Sequence, residues 1–398
     1  MEKELCMIEM KGGDLCEELL EEIFMRVPLK PLTRMKCISK DWCRLISQIP
    51  KVSDFVFVLI EKLYDEELYE CKTNISLFGI KNRGGDLEYH EYNALGSTLD
   101  GDIDRFCYSN GLLLCYDDYL MHTSPFIYDL ILKKPISLHT MRITCAGRAI
   151  YMGLAYDGLQ TRQFKVVCFF FNEDLEFLDC TIFSSETGDW KNHQAKVINY
   201  SRMDHYFLKY IYQRRYSTFF QSECLFHDGL IYWTLYGYLI AYNLQENFFE
   251  FHDLTRKGSF EDTPIRDRLD ECLWVSGGCL HYCYSDKNGL YIWDRFKGEE
   301  VDYNNEYFQN EFDVQLHYYL EHHKDWWRQK DEIDLKTLKK QHPEFFCKVW
   351  DHNDYIRFLK PCSFNEDLQL LYLQLPGSLI VSYSFETKCL RKVHELKS

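Results

Sequence analysis

Leu15, Leu19, Ile23 and Val27 recur every fourth residue, with Leu20 and Phe24 beside them. Side chains so spaced fall along one side of an α-helix, and the pattern predicts an amphipathic one. Asp14 followed by Glu17 reads as a capping box, with carboxylates meeting the amide groups that lack partners at a helix start. Pro28 stops the helix. Pro31 suits the first turn of a second short helix, where a missing N–H costs nothing. Ser39 is a candidate cap for a third, carrying Trp42, Leu45 and Ile46. A small three-helix module is expected over residues 12–50.

Past Pro50 the texture changes to short β-branched and aromatic runs separated by turn signals. Ser109-Asn-Gly-Leu-Leu-Leu-Cys115 leads to Phe126-Ile-Tyr-Asp-Leu130, and the run 164–171 leads to Cys180-Thr-Ile-Phe-Ser184. His227-Asp-Gly-Leu-Ile-Tyr-Trp233 leads to Leu239-Ile-Ala-Tyr-Asn-Leu244, and Ser276-Gly-Gly-Cys-Leu-His-Tyr282 to Gly289-Leu-Tyr-Ile-Trp-Asp294. The run 368–375 leads to Leu379-Ile-Val-Ser-Tyr-Ser-Phe385. Units recurring at roughly 40–60 residues, each a small antiparallel sheet, predict a propeller-like domain over 51–398, because sheets arranged round a ring cover one another's faces. A β-sandwich is the alternative. The fold class expected is thus α+β multidomain: a small three-helix module, then a mostly antiparallel β domain.

Hydrophobic residues make up 46% of the 398 and aromatics 16%, enough for a large core. The net charge of −16 repels phosphate backbones, so general nucleic-acid binding is not expected. The acidic start Met1-Glu2-Lys3-Glu4 has no apolar stretch of a secretion signal, and the longest apolar runs, such as 55–60 and 166–171, are strand-length. No membrane association is expected. The 17 cysteines are odd in number and scattered, which suits free thiols in the cytoplasm or nucleus.

Charge is segregated in the helical module. Glu17, Glu18, Glu21 and Glu22 load the first helix; Arg26, Lys30, Arg34, Lys36, Lys40 and Arg44 load the rest. Three short helices bury little of their own apolar surface, so the excess of Leu, Ile and Trp implies either an interface with a second protein or a cap on the β domain. The run Arg26-Val-Pro-Leu-Lys-Pro-Leu-Thr-Arg-Met-Lys-Cys-Ile-Ser-Lys-Asp-Trp42, with the leucine-rich helix before it, resembles an F-box, the plant type in particular. The resemblance implies docking onto a Skp-type adaptor, and through it onto cullin and RING subunits of a ubiquitin ligase. By position, the docking residues it implies are Leu15, Leu19, Ile23, Pro28, Leu32, Cys37, Ile38 and Trp42. Cys16 stands where that family usually has Pro, which puts adaptor affinity, not docking itself, in question.

Ser184-Ser-Glu-Thr-Gly-Asp-Trp190, and Gly229-Leu-Ile-Tyr-Trp233 followed by Ile240-Ala-Tyr-Asn-Leu244, are similar to phrases of the plant F-box-associated domain, which implies a target-recognition module. No nucleotide-cradling loop, nucleophile elbow or metalloprotease helix is present, and no cofactor is expected. Cys279, His281 and Cys283, with Cys272 and His322-His323, have metal-ligand residue types, but their spacing fits core thiols and a hydrogen-bonded His better than zinc. The 300–326 stretch, the Tyr-rich stretch 206–216 with Arg214-Arg215, and Trp326-Trp327 are candidate recognition segments. The expected function is a substrate-recognition adaptor that recruits a target protein for ubiquitination by proximity, without catalysis of its own. The alternatives are an F-box scaffold outside a ligase and a propeller enzyme.

Overall fold

The structure is a computed structural model. It describes residues 17–25, 27, 29–48, 55–65, 70–83, 86–93, 105–116, 124–130, 132, 134–138, 150–158, 162–171, 176–198, 224–235, 238–253, 270–286, 288–297, 325–346, 359–366, 368–375 and 379–395. Three short helices come first: α1 (Glu17–Met25), α2 (Leu29–Met35) and α3 (Lys40–Gln48). Phe24, Leu32, Leu45 and Ile46 form their shared core, with Leu20, Val27, Met35 and Trp42 packed against it. The capping residue Asp14 lies outside the described residues. Ser39 does cap α3: the Trp42 amide donates to its Oγ at 3.0 Å.

The strands that follow fall into six successive antiparallel units. Unit one is β1 (Phe55–Asp65), β2 (Glu70–Arg83) and β3 (Asp86–Asn93). Unit two is β4 (Arg105–Ser109), β5 (Leu112–Tyr116), β6 (Phe126–Asp129) and β7 (Lys134–Ser137). Unit three is β8 (Tyr151–Ala155), β9 (Lys165–Phe169), β10 (Phe177–Ser184) and β11 (Asp189–Ile198). Unit four is β12 (Cys224–His227), β13 (Leu230–Leu235), β14 (Tyr238–Asn243) and β15 (Phe248–Asp253). Unit five is β16 (Asp270–Ser276), β17 (Cys279–Ser285), β18 (Gly289–Lys297) and β19 (Asp325–Asp334), with helix α4 (Leu335–Gln341) after it. Unit six is β20 (Lys360–Asn365), β21 (Leu370–Leu375), β22 (Leu379–Ser384) and β23 (Leu390–Glu395).

The first strands of the units meet one another. β4 lies against β8 and β12, β8 against β12, β12 against β16, β16 against β20, and β20 against β1. First strands inward and fourth strands outward is a propeller-like arrangement. A separate core fills the space between each pair of neighbours from unit two to unit six. This is why the strands read as continuous apolar runs: β9 turns Val166 and Cys168 toward unit two and Val167 and Phe169 toward unit four.

Three two-residue turns among the described residues use, at both positions, backbone that side chains resist. Asn110-Gly111, Asp228-Gly229 and Gly277-Gly278 all have positive φ, the geometry that lets a two-residue turn follow the twist of its strands. One join departs from a regular ring. The fourth strands β11 and β15 pair in parallel, Lys196 with Phe248 through Ile198 with Glu250, and fuse units three and four into one eight-stranded sheet.

Unit two is tied to unit three by charge. Asp129, only 2% exposed, accepts from Arg162 Nη1 at 2.8 Å and from the Leu132 amide at 2.9 Å. Truncating one partner of a buried pair leaves the other desolvated and unmatched. Because Arg162 keeps some contact with water, Asp129→Ala is expected to lower unfolding free energy by about 2 kcal/mol, measured by denaturant titration.

Candidate docking face

The helical module turns part of its apolar surface outward. Leu19 is 41% exposed, Ile23 38% and Ile38 62%, and these are the large hydrophobic side chains that stand exposed among the described residues. The physical reason lies in the period of α1. Leu20, Phe24 and Val27 take the inner side; Leu19 and Ile23, each one position earlier, rotate about 100° away onto the outer side. Ile38 is carried out by the turn that ends α2, where the Cys37 and Ile38 amides donate to the Arg34 and Met35 carbonyls. Cys37 is exposed beside it.

The residues implied by the F-box resemblance therefore divide. Leu19, Ile23, Cys37 and Ile38 face out. Leu32 lies in the module's own core. Trp42 is half-buried, its ring edge-on to Phe24 with centroids 4.9 Å apart, so it supports the module from within. Leu15, Pro28 and the Cys16 departure lie outside the described residues. Phe24, Leu45 and Ile46 are the interior residues that hold the face in place. All three were visible in the sequence, Phe24 beside the apolar stripe of the first helix and Leu45 and Ile46 on the third.

Charge frames the outward face. Glu17 and Glu22 are exposed on α1; Arg34, Lys40 and Arg44 are exposed on α2 and α3. Arg44 Nη2 reaches Glu17 Oε1 at 2.5 Å, an exposed pair that links α1 to α3 and adds little stability. A partner surface here meets an apolar centre beside exposed acidic and basic side chains.

His281 and Cys283 are buried and Cys279 is exposed. His281 stacks on Trp274, its Nδ1 lies 2.5 Å from Asp294 Oδ1, and its Nε2 is 3.3 Å from the Ser276 carbonyl. Cys283 packs in the core between units five and six. Among the described residues no cluster of three or more His, Cys, Asp or Glu has the spacing of a metal site.

Groups with displaced acidity are mostly buried tyrosines and thiols. Burial pushes Cys180 up to about 11, and burial plus nearby carboxylates pushes Tyr284 up to about 12. Tyr282, buried and donating to Glu271 at 2.9 Å, is pushed well above its ordinary value. These shifts keep hydroxyls and thiols protonated, the reverse of what a nucleophile needs. The carboxyl of Asp334 is lowered by hydrogen bonds from Thr337 at the start of α4, a helix cap. Stretch 206–216 with Arg214-Arg215, residues 300–324, and the side chains of Trp326 and Trp327 lie outside the described residues. No helix among the described residues is long and apolar enough to cross a membrane.

Comparison with known proteins bears on the same segment. The F-box domain family matches residues 13–53. F-box protein At5g49610 of Arabidopsis thaliana is 26% identical over 274 residues, which span 63% of this chain and 66% of that protein, just under two thirds of its length. Among solved structures, the β-propeller domain of Myceliophteria thermophila Cps50 (Swd1) superposes with a TM-score of 0.38 at 7% identity, covering 86% of this chain and 90% of that one. An oligogalacturonate lyase from Vibrio parahaemolyticus gives 0.33 at 10% identity, covering 86% of each chain. At these scores neither structural likeness carries an argument.

Proposed function

We propose, from the premise that this is a plant-type F-box protein with its F-box domain at residues 13–53, that the chain is the target-choosing subunit of a Skp–cullin–F-box ubiquitin ligase. In this reading residues 12–50 form the three-helix docking module and residues 51–398 the recognition domain. Leu19, Ile23, Cys37 and Ile38 touch the Skp-type adaptor directly; Leu15 and Pro28 join them by register, and Leu32 and Trp42 shape the face from behind. The adaptor links the chain to cullin and RING subunits. The β units hold a target protein near the charged ubiquitin carrier, and the high local concentration of target lysines does the rest without a catalytic group on this chain. Such a complex works in the cytoplasm or nucleus.

One observation carries the reading. The exposed large hydrophobic side chains among the described residues all sit inside the segment that matches the F-box family. Apolar side chains held out in water on a module too small to stabilise itself alone are best explained by a second polypeptide that covers them. The test is gel filtration and calorimetry of the purified full chain with a recombinant plant Skp-type adaptor. The expected result is a stable one-to-one complex. A folded chain that binds no adaptor at micromolar concentration would overturn the proposal. The scaffold alternative differs in one respect: the adaptor would bind, yet no cullin would be recovered with the chain from cells.

A further inference from the structure

We propose that Cys107 and Cys224 form a reversible disulfide that locks the inner strands of units two and four together when the protein meets a peroxide. Cys107 is on β4 and is 2% exposed; Cys224 is on β12 and is partly buried. Both strands are first strands, and they meet each other and β8 at one place in the fold. Cys107 belongs to the core between units two and three; Cys224 packs against that core and against the next one, between units three and four. The two thiols are hydrogen-bonded, and the backbone of Leu154 on β8 completes the contact around Cys224. A hydrogen-bonded thiol pair on two different units is the starting arrangement for a disulfide, whose bond length is about 2.05 Å.

The chemistry balances with peroxide as the oxidant. Peroxide transfers one oxygen to the Cys224 sulfur, on the less buried residue of the two, to give a sulfenic acid, and one water leaves. The Cys107 sulfur then attacks it, the S–O bond breaks, and a second water leaves with the Cys107 proton. Peroxide is reduced and the thiol pair is oxidised by two electrons. Burial and the neighbouring thiol hold the Cys224 pKa well above its ordinary value, so little thiolate is present near neutrality. The lock is therefore slow at about pH 7 and faster at about pH 9. A thiol bath reopens it, as a transient bond in a reducing compartment requires.

The full chain is treated with hydrogen peroxide while folded. Free thiols are then blocked with N-ethylmaleimide, before and again after denaturation, and the chain is digested and mapped. The expected result is a Cys107–Cys224 crosslinked peptide that forms faster at higher pH, disappears with dithiothreitol, and accompanies a higher melting temperature. Cys224→Ala should abolish both the crosslink and the redox-dependent melting shift. Recovery of both thiols in the blocked, reduced form, while exposed Cys37, Cys43, Cys279 and Cys389 are oxidised, would overturn the proposal. Pairing of either thiol with a different cysteine would also overturn it. The wild-type map decides the matter even if the alanine variant fails to fold.

Discussion

Ile23→Asp combined with Ile38→Asp is expected to abolish adaptor binding, with an affinity loss of at least ~100-fold, while the melting temperature stays near that of the parent. Each isoleucine would bury its exposed area in the complex, a gain of about 0.5–2 kcal/mol, and a carboxylate in its place adds a desolvation cost. Neither residue belongs to the module's core, although Ile23 keeps only 38% of its surface in water, so the effect on folding should stay small, about 1 kcal/mol. Trp42→Ala is a poorer probe. It removes the ring that leans on Phe24 and loosens the module, so lost binding would report unfolding as readily as lost contact. Titration calorimetry for affinity and a melting curve for stability separate the two outcomes. Binding that survives the double aspartate change places the interface elsewhere.

Gly153→Ala is expected to lower unfolding free energy by about 3 kcal/mol, the upper end of what overpacking a core costs. Gly153 is on β8, and an alanine Cβ there would lie 2.4 Å from Trp233 Cζ2 and 2.6 Å from Ile231 Cγ2. The indole cannot yield. Its Nε1–H donates to the Met152 carbonyl at 2.9 Å, and Phe169 stands edge-on to it with centroids 5.1 Å apart. Gly188→Ala is the matched comparison. Gly188 has a φ of +74° with open space around it, so its cost is the backbone preference alone, about 1 kcal/mol. Chemical denaturation of the two variants side by side checks the difference. Equal losses would mean that the contact between units three and four is softer than the geometry implies.

Much of the β architecture was legible in the sequence, and the legible part was the middle of each unit. The phrases around 112–129, 164–184, 230–244, 279–294 and 370–385 are the second and third strands of units two to six, and the second strands in particular are buried on both faces. Their Asn-Gly, Asp-Gly and Gly-Gly turns announce positive φ directly. The outer strands were harder to see. β7 and β23 are largely exposed and carry Lys, Pro, Arg and Glu, a composition that turns and loops share. The parallel join of β11 and β15 could not be read at all, because its two partners lie about 50 residues apart and nothing local marks them. The contact between His281 and Asp294 is hidden for a related reason: it runs across the β17–β18 register, not along the chain.

In the helical module the apolar positions were legible, but their division into two sides was not. Read at intervals of four, Leu19, Ile23 and Val27 make a single stripe. The 3.6-residue period rotates that stripe, so Val27 ends inside with Leu20 and Phe24 while Leu19 and Ile23 remain outside. Leu32 shows the same limit. The F-box resemblance gives it to the interface, yet the packing of three helices seats it among Phe24, Leu45 and Ile46.

The seam between β11 and β15 has a consequence for how such a ring can change over generations. In a solenoid or a regular propeller each repeat touches its neighbours through side chains alone, so a lineage can gain, lose or swap one repeat at a time. Here two repeats share one hydrogen-bonded sheet, and deleting either would leave the end of the other's fourth strand without its parallel partner. On this side of the molecule neighbouring repeats are joined by backbone as well as by side chains, so exchanging one must also match the edge of the other.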